Sequence, residues 1–147
     1  MSTVKKCLAG KPTRVISVHP SDRVVVALTL MRDHRVRSVL VLEEQKLVGI
    51  ITQGDCAIKV LLQGRSAESV SVREVMTAAP LTVTLDDTLE RCMNVMASRN
   101  IRHLPVMNKQ ELIGMLSIGD LVKAIMEDQQ FQIQQLEAYI NPALSLH

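Results

Sequence analysis

The sequence predicts a mixed α/β fold: two pseudo-symmetric β-α-β-β-α repeats forming one compact module, with an additional C-terminal helix. Three observations predict it. First, an offset of 65 residues aligns 16–57 with 81–122 without a gap, and ten of those positions are identical: Val18/Val83, Asp22/Asp87, Met31/Met96, Arg37/Arg102, Val41/Val106, Gln45/Gln110, Leu47/Leu112, Gly49/Gly114, Gly54/Gly119 and Asp55/Asp120. Chance would give roughly 2–3. Second, each copy alternates short apolar runs with a helical stripe. Third, polar links of hairpin length separate the central runs. Copies of about 60 residues are small for independent folding, so they are expected to share a core.

The elements follow in order. Arg14–Val18 and Leu81–Val83 begin an extended segment in each copy. In the second copy Leu89, Cys92, Met93 and Met96 then fall at i, i+3, i+4, i+7, an amphipathic helix. Asp86 and Asp87 are expected at its positive end. In the first copy Val24, Leu28 and Met31 repeat the stripe after Ser21-Asp22. The Val24–Val26 run is poor helix material, so burial has to override propensity there. Strands are expected at Ser38–Leu42 and Leu47–Ile51, then at Leu104–Met107 and Leu112–Leu116, linked by Glu43–Lys46 and Asn108–Glu111. A second helix starts after each Gly-x-x-Thr/Ser segment. It ends near Leu62 in the first copy and continues well past Asp120 in the second. Gln63–Ser71 is a polar linker with Gly64. Val72–Met76 reads as a short helical entry to the second copy, and Val4–Leu8 as its counterpart before the first.

Composition excludes several functions. Of 147 residues 47% are apolar, yet Phe131 and Tyr139 are the only aromatics. Base-stacking platforms and aromatic cages are therefore excluded. Net charge is +2, with 17 basic residues scattered among 15 acids, so no nucleic acid is expected as a partner. Cys7, Cys56 and Cys92 form no C-x-x-C pair and leave an odd count, which fits a reducing compartment without disulfides or structural zinc. No apolar run reaches about 18 residues, and Met1–Lys11 lacks the apolar stretch of a signal peptide. A cytoplasmic protein without membrane contact is expected. No P-loop, H-x-x-x-H or G-x-S-x-G is found, so neither catalytic nor metal residues are assigned and no enzyme is expected.

Gly49-Ile-Ile-Thr52-Gln-Gly-Asp55 and Gly114-Met-Leu-Ser117-Ile-Gly-Asp120 are the sharpest features. Each reads as a buried strand turning into a helix. Thr52 and Ser117 stand where an N-cap belongs, with an acid three residues on, a capping box with Asp in place of Glu. Helix capping alone would account for them. The same turn is also a natural site for phosphate or ribose, where a hydroxyl and a carboxylate bind phosphate and sugar hydroxyls.

The repeat, the element order and the G-h-h-[TS]-x-x-D ending resemble a tandem pair of CBS domains, a Bateman module. Val75-Met76-Thr77 and Arg99-Asn-Ile-Arg-His-Leu-Pro-Val106 are also typical of such pairs, and Gln129–Ile140 resembles the extra helix of small stand-alone bacterial members. The similarity runs from about Val4 to Met126. It implies an adenine nucleotide bound in a cleft between the two domains, at two pseudo-equivalent sites. Asp55 and Asp120 would hold ribose hydroxyls, and Thr52 and Ser117 phosphate or ribose. Arg37, Arg102 and His103 match phosphate contacts, though an Arg at a seam also pairs with acids. Ile16, Ser17 and Val18 with Ile51, and Leu81, Thr82 and Val83 with Leu116, would hold adenine. Leu40 replaces the proline of Pro105. Gln53-Gly54 replaces the Glu-Arg common in relatives, and Ser38 stands where the second copy has His103. The second site is therefore expected to favour a charged phosphate.

The implied function is a regulatory sensor that binds an adenosine-containing ligand and signals to a regulated protein. AMP is favoured over ATP, ADP, NAD(H) or S-adenosylmethionine, and no cofactor is required. Similar domains inside inosine monophosphate dehydrogenase regulate a separate barrel, which 147 residues cannot hold. A ligand-free scaffold is the alternative, and an enzyme of unrecognised type a weaker one. The expected division is 1–13 lead-in, 14–64 first CBS domain, 65–74 linker, 75–126 second CBS domain and 127–147 helical tail. Phe131, Ile133, Leu136 and Ile140 give that tail an apolar face, and a homodimer is expected. Cys56, beside Asp55, is a packing residue that lines the expected cleft. Cys92 belongs to the Met-rich core stripe.

Overall fold

The computed structural model describes residues 2–10 and 15–140. The expected strand start at Arg14 and the tail beyond Ile140 lie outside the described residues. In order, the elements are α1 (Val4–Ala9), β1 (Ser17–Val18), α2 (Val24–His34), β2 (Ser38–Glu43), β3 (Lys46–Thr52), α3 (Gln53–Cys56) continued by a π-helical turn Ala57–Leu61, α4 (Val72–Val75), β4 (Thr77–Ala78), β5 (Val83–Thr84), α5 (Leu89–Arg99), β6 (His103–Asn108), β7 (Glu111–Ser117) and α6 (Ile118–Ile140). Both repeats keep the expected β-α-β-β-α order. The motif helix of the second copy and the tail helix are one continuous element of 23 residues.

The chain divides into two compact units. One comprises Thr13–Thr82 and Pro105–Met115; the other comprises Met1–Pro12, Val83–Leu104 and Leu116–His147, in each case through their described residues. The first unit carries a sheet of strand order β1-β2-β3-β4. β1 runs parallel to β2, with Ser17 opposite Leu40, while β2 and β3 form an antiparallel hairpin. Its turn residues Glu44 and Gln45 both have positive φ (50° and 66°), the pairing that matches strand twist in a two-residue hairpin. The sheet and α2 enclose Val18, Val24, Ala27, Met31, Val39, Val41 and Ile51. Burial of Val24, Ala27 and Met31 explains why α2 forms despite its β-branched start.

In the other unit, Leu89, Cys92 and Met96 of α5 are buried, as are Val83, Leu104, Leu116 and Leu121. The second repeat's strands are ordered β5-β6-β7. The stripe on α5 is the expected one, and Asp86 and Asp87 lie just before its N-terminus as expected. Thr88 is the cap, its hydroxyl accepting from the Arg91 amide at 3.1 Å. Asp87 lies upstream and accepts from the Thr84 amide at 2.8 Å, as Asp22 accepts from the His19 amide at 2.8 Å. The repeated aspartate therefore closes the turn that precedes each helix. A carboxylate that accepts its own turn amide is held outside the helix, which leaves the cap to the next hydroxyl.

The two lead-in helices each dock on the copy other than the one they precede. Val72 and Arg73 of α4 donate to the carbonyls of Asp22 and Pro20 (2.8 and 2.9 Å). Val4 and Lys5 of α1 donate to Asp87 and Leu85 (2.9 and 3.0 Å), the repeat equivalents of those residues. Val4, Leu8, Val72 and Val75 are all buried by this docking. A helix this short cannot hold itself together and needs a covered face and partners for its first amides.

Candidate functional site

The two motifs fold alike. Thr52 ends β3 in extended conformation, and its hydroxyl accepts from the Asp55 amide at 3.0 Å. Asp55 Oδ2 accepts in return from the Thr52 amide at 3.1 Å. In the second copy Ser117 Oγ accepts from the Asp120 amide at 3.1 Å, and Asp120 Oδ2 from the Ser117 amide at 2.9 Å. Both are complete capping boxes built from residues three apart. The strand that precedes each motif is tied in by equivalent bonds. Gln53 donates to the Arg37 carbonyl at 3.0 Å, and Ile118 to the Arg102 carbonyl at 2.9 Å. The Arg repeat thus holds its backbone against the motif while both side chains are exposed.

The charges around the two aspartates differ. Asp55 Oδ1 lies 3.5 Å from Lys59 Nζ, and Lys59 also donates to the Val75 carbonyl at 2.9 Å. The equivalent of Lys59 in the second copy is Ala124. Asp120 instead lines a cavity of about 360 Å³ together with Lys6, Cys7, Lys123, Ala124 and Asp128. Lys6 Nζ lies 3.7 Å from Asp128, and the Cys7 thiol donates to the Asp120 carbonyl at 3.7 Å. Asp55 thus has an ammonium beside it. The cavity beside Asp120 is lined by both signs of charge, Lys6 and Lys123 together with Glu127 and Asp128.

The remaining expected residues fall into groups. Ile16, Ser17 and Val18 adjoin β2, where Leu40 donates to the Ile16 carbonyl at 3.1 Å, and Ile51 is fully buried on β3. With Arg37, Thr52 and Asp55 they all lie in one unit. Val83, Arg102, His103, Leu116, Ser117 and Asp120 lie in the other. Leu81 and Thr82 do not join them; both are exposed and belong to the unit that holds the first repeat. Ile51, Val83 and Leu116 are buried, so their side chains serve the core. Lys6 and Cys7 were not legible as neighbours of Asp120, whereas Lys123, one turn on along the same helix, was legible by its spacing and was not singled out. Cys7 and Asp120 are separated by 113 residues, and no spacing links them.

Cys56 follows Asp55 and is buried. Burial, and then the Asp55 charge, push its thiol up to about 11, and burial does the same for Cys92. Neither is a thiolate near neutrality. A thiol reagent at pH 8 is expected to label Cys7 first and to reach Cys56 and Cys92 only on unfolding. Equal rates for all three would contradict the packing. Folded thiols bind protons that unfolded ones release between about pH 9 and 11, so stability should fall as pH rises through that window. Among the described residues no cluster of three or more metal-ligating side chains is found, and no helix is long and apolar enough to cross a membrane.

The family model for the CBS domain matches residues 12–61 and again 72–127. The chain belongs to the CBS-domain family. Among its relatives, the mitochondrial CBS domain-containing protein CBSX3 of Arabidopsis thaliana is 40% identical over 124 residues, which cover 81% of this chain and 60% of CBSX3. This CBS chain therefore spans less than two thirds of that relative. A putative signal-transduction protein with CBS domains from Burkholderia ambifaria superposes with a TM-score of 0.84 at 38% identity, covering 87% of this chain and 96% of the other. At 24% identity the fold is shared with CBSX2, solved in complex with AMP (TM-score 0.72, 86% of this chain and 98% of that one). It is equally shared with the CBS domain pair of MJ0100, solved with 5'-methylthioadenosine and S-adenosyl-L-methionine (TM-score 0.76, 87% and 98%).

Proposed function

We propose that this CBS pair is a regulatory module that binds an adenosine-containing ligand, AMP first among them, at its strand-to-helix motifs. The carrying observation is the duplicated turn itself. In both copies a hydroxyl and a carboxylate are fixed by the same reciprocal hydrogen bonds at the end of a buried strand. A carboxylate held in one rotamer binds a ribose diol without further ordering cost. The second site is the better candidate for a charged phosphate, because Arg102 and His103 precede it, whereas Ser38 stands in place of His103 in the first copy. The solved relatives with adenosine ligands support the ligand class. Ligand that prefers one conformation shifts the population toward it, and a cytoplasmic partner reads the shift. The module acts as a homodimer and carries out no catalysis of its own.

Calorimetric titration with AMP, ADP, ATP, NAD(H) and S-adenosylmethionine tests the reading. Binding of AMP is expected with a dissociation constant in the micromolar range, about 1–100 μM. No heat with any of the five at about 1 mM overturns it.

A ligand-free scaffold is the second reading, and one observation favours it. The motif hydroxyls and one oxygen of each motif carboxylate already serve as caps. That reading predicts normal assembly and no nucleotide response.

A further inference from the structure

Helix α6 carries two apolar stripes, and its own unit covers one. Leu121 is fully buried, and Ala124, Ile125 and Asp128 are half-buried, at i, i+3, i+4, i+7. The second stripe is Val122, Met126, Gln129, Ile133, Leu136 and Ile140. Its spacing of 4-3-4-3-4 is the heptad seam of a coiled coil. Every member is exposed: Val122 by 42%, Met126 by 63%, Ile133 by 47%, Leu136 by 63% and Ile140 by 79%. An apolar groove of about 710 Å³ flanks its start, lined by Ile118, Gly119, Val122 and Met126.

We infer that this seam is covered by the same helix of a second copy, packed antiparallel. Two features select that occupant and that direction. Antiparallel heptads set the two kinds of seam position against each other, here Met126 against Leu136 and Val122 against Ile140 of the second copy. The aliphatic C-terminal half thereby fills the groove at the N-terminal half. The same register brings Lys123 beside Glu137 of the second copy, twice by symmetry, whereas parallel packing sets the neutral Gln132 beside Glu137. Phe131 is also exposed (59%), but it lies outside the seam.

This rests on the homodimer reading and not on the nucleotide, and sedimentation of the full chain tests both. The wild type is expected to be dimeric at about 50 μM, and Ile133→Asp with Leu136→Asp monomeric with an unchanged far-ultraviolet spectrum. Phe131→Asp should remain dimeric. Lys123→Glu and Glu137→Lys should each raise the dissociation constant about 3–10-fold, and together restore it. A monomeric wild type overturns the homodimer and the seam alike. A dimer that survives the double aspartate variant, or dissociates with Phe131→Asp, overturns the seam alone. Charge reversals that fail to compensate overturn the antiparallel register.

Discussion

Gly49→Val is expected to destabilise the protein by about 2–4 kcal/mol and lower its melting temperature by about 10 °C. Gly49 lies on β3 where β4 pairs with it, opposite Ala78. A Cβ at this position would stand 2.6 Å from Met76 Sδ and 3.0 Å from the Thr77 carbonyl. The sulfur can move, since Met76 is a flexible side chain. The carbonyl cannot move without lifting β4, which the Ala79 amide anchors to the Val48 carbonyl at 3.2 Å. Branching at Cβ adds a second methyl to the same space. Gly54→Ala is the control: its Cβ would meet Thr52 Oγ1 at 3.7 Å, an ordinary contact at the start of a helix. It should melt at or slightly above the wild type. If Gly49→Val melts with the wild type, the close approach is not what holds β4 in place.

Asp120→Asn is expected to weaken adenosine-ligand binding about 10–100-fold while leaving folding nearly unchanged. An amide oxygen still accepts from the Ser117 amide, so the cap survives. What is lost is a charged acceptor for ribose hydroxyls, an interaction of about 1.5–3 kcal/mol. Asp120→Ala removes both and should cost about 1 kcal/mol of stability in addition. Asp55→Asn should weaken binding less, because the first copy has Ser38 where the second has His103 as a phosphate contact. The measurement is calorimetry of all three variants with AMP beside their thermal melts. Wild-type affinity in Asp120→Asn would remove Asp120 from the site. A loss that appears only in Asp120→Ala, together with its lower melting point, would assign it to capping alone.

These predictions draw on two levels of information. The cap geometry at Thr52–Asp55 and Ser117–Asp120 was legible in the sequence, because its partners are three residues apart and need only a strand ending in a helix. The same holds for the central hairpin of each repeat, whose strands match the apolar runs to within one residue at each end, whereas β4 had no such signal. The α5 stripe was legible too, as was the placing of Asp86 and Asp87 at its positive end. Asp86 and Asp87 have the chemistry of caps, and the turn around Thr84 claimed Asp87 first.

The sequence by itself determined the duplicated α/β repeat, the family and the two motif turns, since each depends on neighbours along the chain. Tertiary structure alone decided that α1 docks on the second repeat and α4 on the first. It placed Cys7 and Lys6 around Asp120, and Met76 over Gly49. It also decided which of the two stripes of α6 is covered. The physical reason is one of range. Periodicity and capping are written in side chains a turn apart. Contacts across 113 residues follow from which apolar faces close on one another, and many spacings would permit them.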